Sequence, residues 1–203
     1  MEHAGLVYQR LMAEGGGVRF DRHVFACAVA AAVGEGRPLA EGLGLGSRDM
    51  AALFARYFPR SQGLIRASGA SPGQGEPEEP DLRRLLLDHR TRGTIEEEWL
   101  ARIIARRSLG ANHLWQDLGL SNRGEVSTLL DRHFHALAAK NTGHMKWKKF
   151  FYRQLCLQAD VKVCSSPNCE VCDDFAACFG DELPLLAMPG HEPPPVADHI
   201  ARL

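Results

Sequence analysis

Apolar residues recur three and four positions apart along most of the chain, and no run keeps the strict alternation of a half-buried strand. The spacing predicts helices near 3–14, 20–33, 48–58, 80–91, 95–109, 122–139 and 145–159, and so an all-α helical bundle. Several of these helices carry their own start signals. Thr94 precedes Glu97 by three residues, as Asn122 precedes Glu125, the pattern in which cap and carboxylate each bond the other's backbone N–H. Asp21 is expected to cap the Ala-rich helix that follows it.

Two stretches about 75 residues apart match. Leu39, Leu43, Gly44, Leu45 and Arg48 correspond to Leu114, Leu118, Gly119, Leu120 and Arg123. After a one-residue gap, Leu53, Arg56 and Phe58 meet Leu129, Arg132 and Phe134. A helical stretch precedes each, so the pattern predicts a duplicated helix–turn–helix unit in which Leu-Gly-Leu makes the turn. The expected organisation is an N-terminal helical repeat over 1–60 and a second repeat with an aromatic helix over 81–160. Between them, 61–80 is rich in Pro, Gly and acids and is expected to be a flexible linker. A cysteine-rich loop over 161–183 and a poorly ordered, proline-rich tail over 184–203 complete the chain.

Composition changes this picture little. A formal net charge of -1 over 203 residues argues for neither nucleic acid nor an anionic membrane as partner. The apolar run Phe25–Val33 is too short to span a bilayer, and the amino terminus lacks the pattern of a secretory signal. A cytoplasmic protein in a reducing compartment is the expectation. There, clustered cysteines are metal ligands or catalytic groups more often than disulfides.

Four of the six cysteines fall in KVCSSPNCEVCDDFAAC, at Cys164, Cys169, Cys172 and Cys178, with spacing C-x4-C-x2-C-x5-C. No histidine lies between His144 and His191, so a local site would be all-thiolate. Sulfur-only ligation selects zinc or an iron–sulfur cluster over hard cations. Structural zinc sites commonly pair two short knuckles, and only one C-x2-C is present. The opening C-x4-C-x2-C matches plant-type ferredoxin ligation, although the fourth cysteine arrives sooner. Spacing therefore favours iron–sulfur and leaves zinc as the alternative.

Just upstream, MKWKKFFYRQLC places Trp147, Phe150, Phe151 and Leu155 on one helical face, expected to dock on the body. Lys146, Lys149 and Arg153 fall on the opposite face with Cys156 beside them. Such cations could hold an oxyanion, and their field would favour Cys156 as thiolate and metal ligand. The alternative is a solvated charged face with an idle thiol. Cys27, among alanines, reads as a small core residue. The glycines of 42–47 lack the preceding strand of a phosphate loop, and no Ser–His–Asp set is present.

LWQDLGLSNR at 114–123, MKWKKFFYRQLC at 145–156 and the four-cysteine spacing followed by Phe179-Gly180 together resemble the NifQ family of nitrogen-fixation proteins. The resemblance is close over about 94–180 and looser over 20–60. It implies an iron–sulfur, molybdenum-binding protein that processes molybdate and donates molybdenum for iron–molybdenum cofactor synthesis, a carrier rather than an enzyme. It implies Cys164, Cys169, Cys172 and Cys178 as cluster ligands, with Cys156 matching the cysteine that ends the family's aromatic helix. It also implies docking on the nitrogenase cofactor-assembly scaffold and on the nitrogenase iron protein, with no membrane and no nucleic acid. The competing readings are a zinc-stabilised helical module that binds nucleic acid or protein, and an iron–sulfur redox carrier or sensor.

Overall fold

A helix that is apolar on every side has to be covered on every side. The segment Val24–Ala32 meets that condition, and all of its residues are buried. In the computed structural model, which describes residues 4–14, 16–66, 71–73 and 75–158, this segment lies inside α2 (Arg19–Gly34) at the centre of the molecule. No strand occurs among the described residues, and no helix there is long and apolar enough to cross a membrane.

The remaining helices wrap α2 and a second long helix, α7 (Ile95–Ser108). On α2 lies α1 (Ala4–Met12), and on α7 lies α6 (Glu79–Asp88). A short α3 (Leu39–Leu43) touches both α2 and α7, and α4 (Ser47–Tyr57) packs on α7. Another short helix, α8 (Leu114–Asp117), leads to α9 (Arg123–His133), α10 (His135–Ala138) and α11 (Trp147–Gln158), the last packed on α6. One continuous apolar core runs from Val7 in α1 to Phe151 in α11.

The Leu-Gly-Leu segments are helix stops. Gly44 (φ 64°) and Gly119 (φ 71°) take the left-handed conformation that L side chains avoid. Beyond them the Leu45 and Leu120 N–H groups reach back to the Ala40 and Trp115 carbonyls, at 3.1 and 2.8 Å, and close the helix end. Both following helices end on a buried phenylalanine of the same conformation, Phe58 (φ −136°, ψ 56°) and Phe134 (φ −139°, ψ 46°). The helix expected over 122–139 therefore breaks at Phe134, because burying that ring against the core bends the backbone out of helical geometry.

Two cap expectations are revised. The Thr94–Glu97 box forms, and the buried Glu97 carboxylate also accepts the Arg92 and Gly93 N–H groups. Asn122 does cap Glu125 at 3.1 Å, but the Glu125 carboxylate turns to the Ser121 N–H at 2.7 Å instead of the Asn122 N–H. Asp21 is no cap. The helix starts three residues earlier, at Arg19 after extended Val18, and Asp21 is buried in its first turn, paired with Arg132 at 3.2 Å and accepting from His133 at 3.0 Å.

Within 61–80 lies α5 (Gly63–Arg66). Arg106 of α7 donates to the Pro72 carbonyl at 2.9 Å, to the Glu41 carbonyl, and to Glu79 at 2.7 Å, joining that region to α3 and α6. The cysteine loop and tail, 161–203, lie outside the described residues.

Candidate functional site

The sequence pointed to α11, and the structure fixes that helix firmly. Trp147, Phe150 and Phe151 are buried, and Leu155 packs against the same core. The Trp147 and Phe150 rings meet edge-to-face at 5.7 Å, and the Trp147 indole N–H donates to Ser127 Oγ of α9 at 3.2 Å.

The turn into α11 is closed by polar groups. Asn141 and Met145 exchange bonds, Nδ2 to the Met145 carbonyl at 2.8 Å and the Met145 N–H to Oδ1 at 2.9 Å. His144 sits in left-handed conformation (φ 53°) at the tip. From α9, Arg123 donates to the His144 and Met145 carbonyls, at 2.5 and 2.8 Å. Lys148 donates to Asp117 and, at 2.8 Å, to the Gly110 carbonyl. That cation is therefore engaged in holding α11 to α8, a role the sequence did not reveal.

A further row of residues lies along α11. Lys149 and Arg153 are exposed, and Lys146 and Cys156 are half-buried. At about 100° per residue these four positions fall within roughly 80° of one another, on one long ridge of the helix. The rise from Lys149 to Arg153 is about 6 Å, and from Arg153 to Cys156 about 4.5 Å. Neighbouring Tyr152 has its phenol pKa raised, by burial first and then by the Glu78 carboxylate. In sequence the row precedes Cys164, Cys169, Cys172 and Cys178, all outside the described residues. Among the described residues, no three His, Cys, Asp or Glu side chains are placed to hold a metal.

A buried polar chain escaped the sequence reading. His23 lies between the Glu125 carboxylate, 3.2 Å from Nε2, and the Tyr8 hydroxyl, 2.9 Å from Nδ1. A carboxylate only accepts, so Nε2 carries the proton and Nδ1 accepts from Tyr8. Burial, then Cys27 and Glu125, push the Tyr8 phenol up to about 12, so it remains a donor. Cys27 stands one turn after His23, 3.7 Å from Nδ1. The i, i+4 spacing of His23 and Cys27 on an otherwise Ala-rich helix was the only local signal. Burial, reinforced by Glu125, raises the Cys27 thiol well above its usual range, which makes it inert. Alkylation by iodoacetamide at pH 8, followed by peptide mass spectrometry, should leave Cys27 unmodified in native protein and modify it in urea. Labelling at equal rates in both would contradict this placement.

The chain matches the family model described as NifQ over residues 24–180. It is 41% identical over 166 residues to "Protein NifQ homolog" of Sinorhizobium fredii (strain NBRC 101917 / NGR234), covering 79% of this chain and 72% of that protein. With "Protein NifQ" of Rhodobacter capsulatus it shares 42% identity over 145 residues, covering 71% of this chain and 79% of the relative. With "Protein NifQ" of Azotobacter vinelandii it shares 42% over 153 residues, covering 70% and 78%. No solved structure matches the chain significantly.

Proposed function

The chain belongs to the NifQ family, and from that membership we propose that it takes up molybdenum as molybdate and donates it for synthesis of the iron–molybdenum cofactor of nitrogenase. The observation that carries this reading is the placement of α11. Its aromatic face is buried and its turn is bonded shut, while Lys149 and Arg153 stand outward, just ahead of the four-thiol segment.

The donor set suits an iron–sulfur cluster. Four soft thiolates within fifteen residues, with no histidine among them, are the ligand chemistry such clusters take, and no group of described residues competes for the metal. Cys164, Cys169, Cys172 and Cys178 would hold the cluster, and Cys156 would be an additional thiolate. The bound cluster would supply sulfide ligands for molybdenum; the chain's own cationic residues would bind the incoming anion.

Molybdate is a tetrahedral dianion, and the thiolate segment adds Glu170, Asp173 and Asp174 to its own negative charge. Like charges a few ångström apart in a partly desolvated site repel by several kcal/mol, on the order of Coulomb estimates at intermediate dielectric. A cationic ridge leading into the segment offsets that repulsion. Lys146, Lys149 and Arg153 would thus serve capture, and the sulfurs retention. Donation requires a recipient; the cofactor-assembly scaffold and the nitrogenase iron protein are the partners that the family resemblance implies.

Replacing Lys146, Lys149 and Arg153 together with Gln should leave iron content unchanged and lower molybdenum loading at limiting molybdate about tenfold or more, the expected weight of losing several modest charge contacts. Metal analysis of anaerobically purified protein measures both quantities. Undiminished molybdenum in the triple variant would remove these residues from the mechanism. Colourless protein with one equivalent of zinc would instead favour the zinc-stabilised module, and a reversible redox couple without molybdenum uptake would favour the redox carrier.

A further inference from the structure

The contacts that join the front and back of the helical body come in matched pairs. Val7 and Leu11, buried on α1, have buried counterparts 75 positions on, Leu82 and Leu86 of α6. A methyl group added at Gly44 would lie 3.4 Å from the Arg102 carbonyl oxygen and 3.2 Å from Arg106 Cβ. One added at Gly119 would lie 2.7 Å from the Cys27 carbonyl oxygen and 3.1 Å from Ala31 Cβ. Cys27 and Ala31 are the residues 75 positions before Arg102 and Arg106.

The polar contacts obey the same rule. Arg56 pairs with Glu96 at 2.6 Å, and the Tyr57 hydroxyl reaches the same carboxylate at 3.5 Å. Arg132 pairs with Asp21 at 3.2 Å, and His133 donates to the same carboxylate at 3.0 Å. The His133 carbonyl accepts the Thr91 N–H at 3.0 Å, and a Cβ at Gly16 would stand 2.8 Å from the Tyr57 carbonyl oxygen. In the glycine contacts and the carboxylate contacts a group from the first half meets the second half, and its mate from the second half meets the mate position in the first, whereas the Thr91–His133 and Gly16–Tyr57 contacts repeat within each half. That reciprocity defines an isologous, two-fold interface; a tandem stack would show each contact in one direction only.

We infer that residues 4–58 and 79–134 are two copies of a single four-helix unit, interlocked about an internal two-fold axis as the two subunits of a homodimer would be. The duplication extends beyond the helix–turn–helix stretches to α1 and α6, whose sequences do not betray it. The axis also says where the symmetry ends. Arg48 near the start of α4 and Arg123 at the start of α9 are mates, yet Arg48 is exposed while Arg123 clamps the His144 and Met145 carbonyls. Arg123 is thus a positioning residue for the turn into α11, a role that exposed Arg48 does not share.

Exchange of mates tests the axis in the full-length chain. Asp21→Glu with His133→Tyr gives the Asp21–Arg132–His133 trio the residues of the Glu96–Arg56–Tyr57 trio; Glu96→Asp with Tyr57→His does the reverse. Each single exchange should lower Tm by about 3–6 °C, whereas each double should return to within about 2 °C of the parent, because it rebuilds a set that the mate backbone already accommodates. A folded double made from an unfolded single would support the inference equally. Doubles that lose the sum of their singles, or fail to fold where the singles fold, would overturn it, and the two pairs provide independent readings.

Discussion

A chain in which Cys164, Cys169, Cys172 and Cys178 are all replaced by Ala is expected to lose essentially all bound iron and molybdenum and to keep its unfolding midpoint. The first half of this expectation follows from the proposed ligand set: no group of described residues is placed to retain the metal, and Cys27 is sealed in the core. The second half follows from the body. The described residues by themselves form an apolar cluster continuous from α1 to α11, so the body has a core that needs no metal to supply it. In small zinc domains the two are inseparable, because binding free energy is folding free energy. Here they should separate. Metal analysis and calorimetry on the same anaerobic preparation measure both, with Tm expected within about 2 °C of the parent. Iron retained by the fourfold variant would remove these thiols as ligands, and a collapse of Tm with metal loss would recast the site as structural.

How much of this was legible beforehand depends on whether the deciding force was local. The aromatic face of α11 was readable because Trp147, Phe150, Phe151 and Leu155 follow the helical period; the three aromatic residues are buried and Leu155, half-buried, packs against the same core. The Thr94–Glu97 box was readable because its partners are three residues apart. Asp21 was misplaced for the opposite reason: its partners, Arg132 and His133, lie over a hundred residues downstream, and no local rule anticipates them. The same holds for His23 and Glu125, and for Lys148, which looked like one more cation of the basic helix until Asp117 came within reach. Phe134 shows tertiary packing overriding period, since the helical pattern continues through it while the backbone does not. Of the candidate site, the cationic ridge was legible from spacing alone. The clamp that holds it, Arg123 against a left-handed turn, was not, because it joins residues about twenty positions apart through backbone carbonyls.

Gly119→Ala is expected to be among the most damaging single substitutions in the helical body, costing about 3–5 kcal/mol and lowering Tm by roughly 10 °C. Two effects add. The residue sits at φ 71°, where an L side chain costs about 1–2 kcal/mol. Its new Cβ would also lie 2.7 Å from the Cys27 carbonyl oxygen, a backbone atom of α2. A surface side chain could swing aside, but α2 is covered along Val24–Ala32, so any retreat would disturb packing all round it. Gly36→Ala isolates the first effect, because Gly36 has φ 69° but nothing within 4 Å of the added carbon. It should cost only about 1–2 kcal/mol. Gly44→Ala should fall between them, since its nearest backbone atom would be 3.4 Å away. Calorimetry on the three variants gives the order directly. Equal losses would mean that left-handed strain alone decides, and that the second Leu-Gly-Leu turn does not press on α2 as closely as the geometry requires.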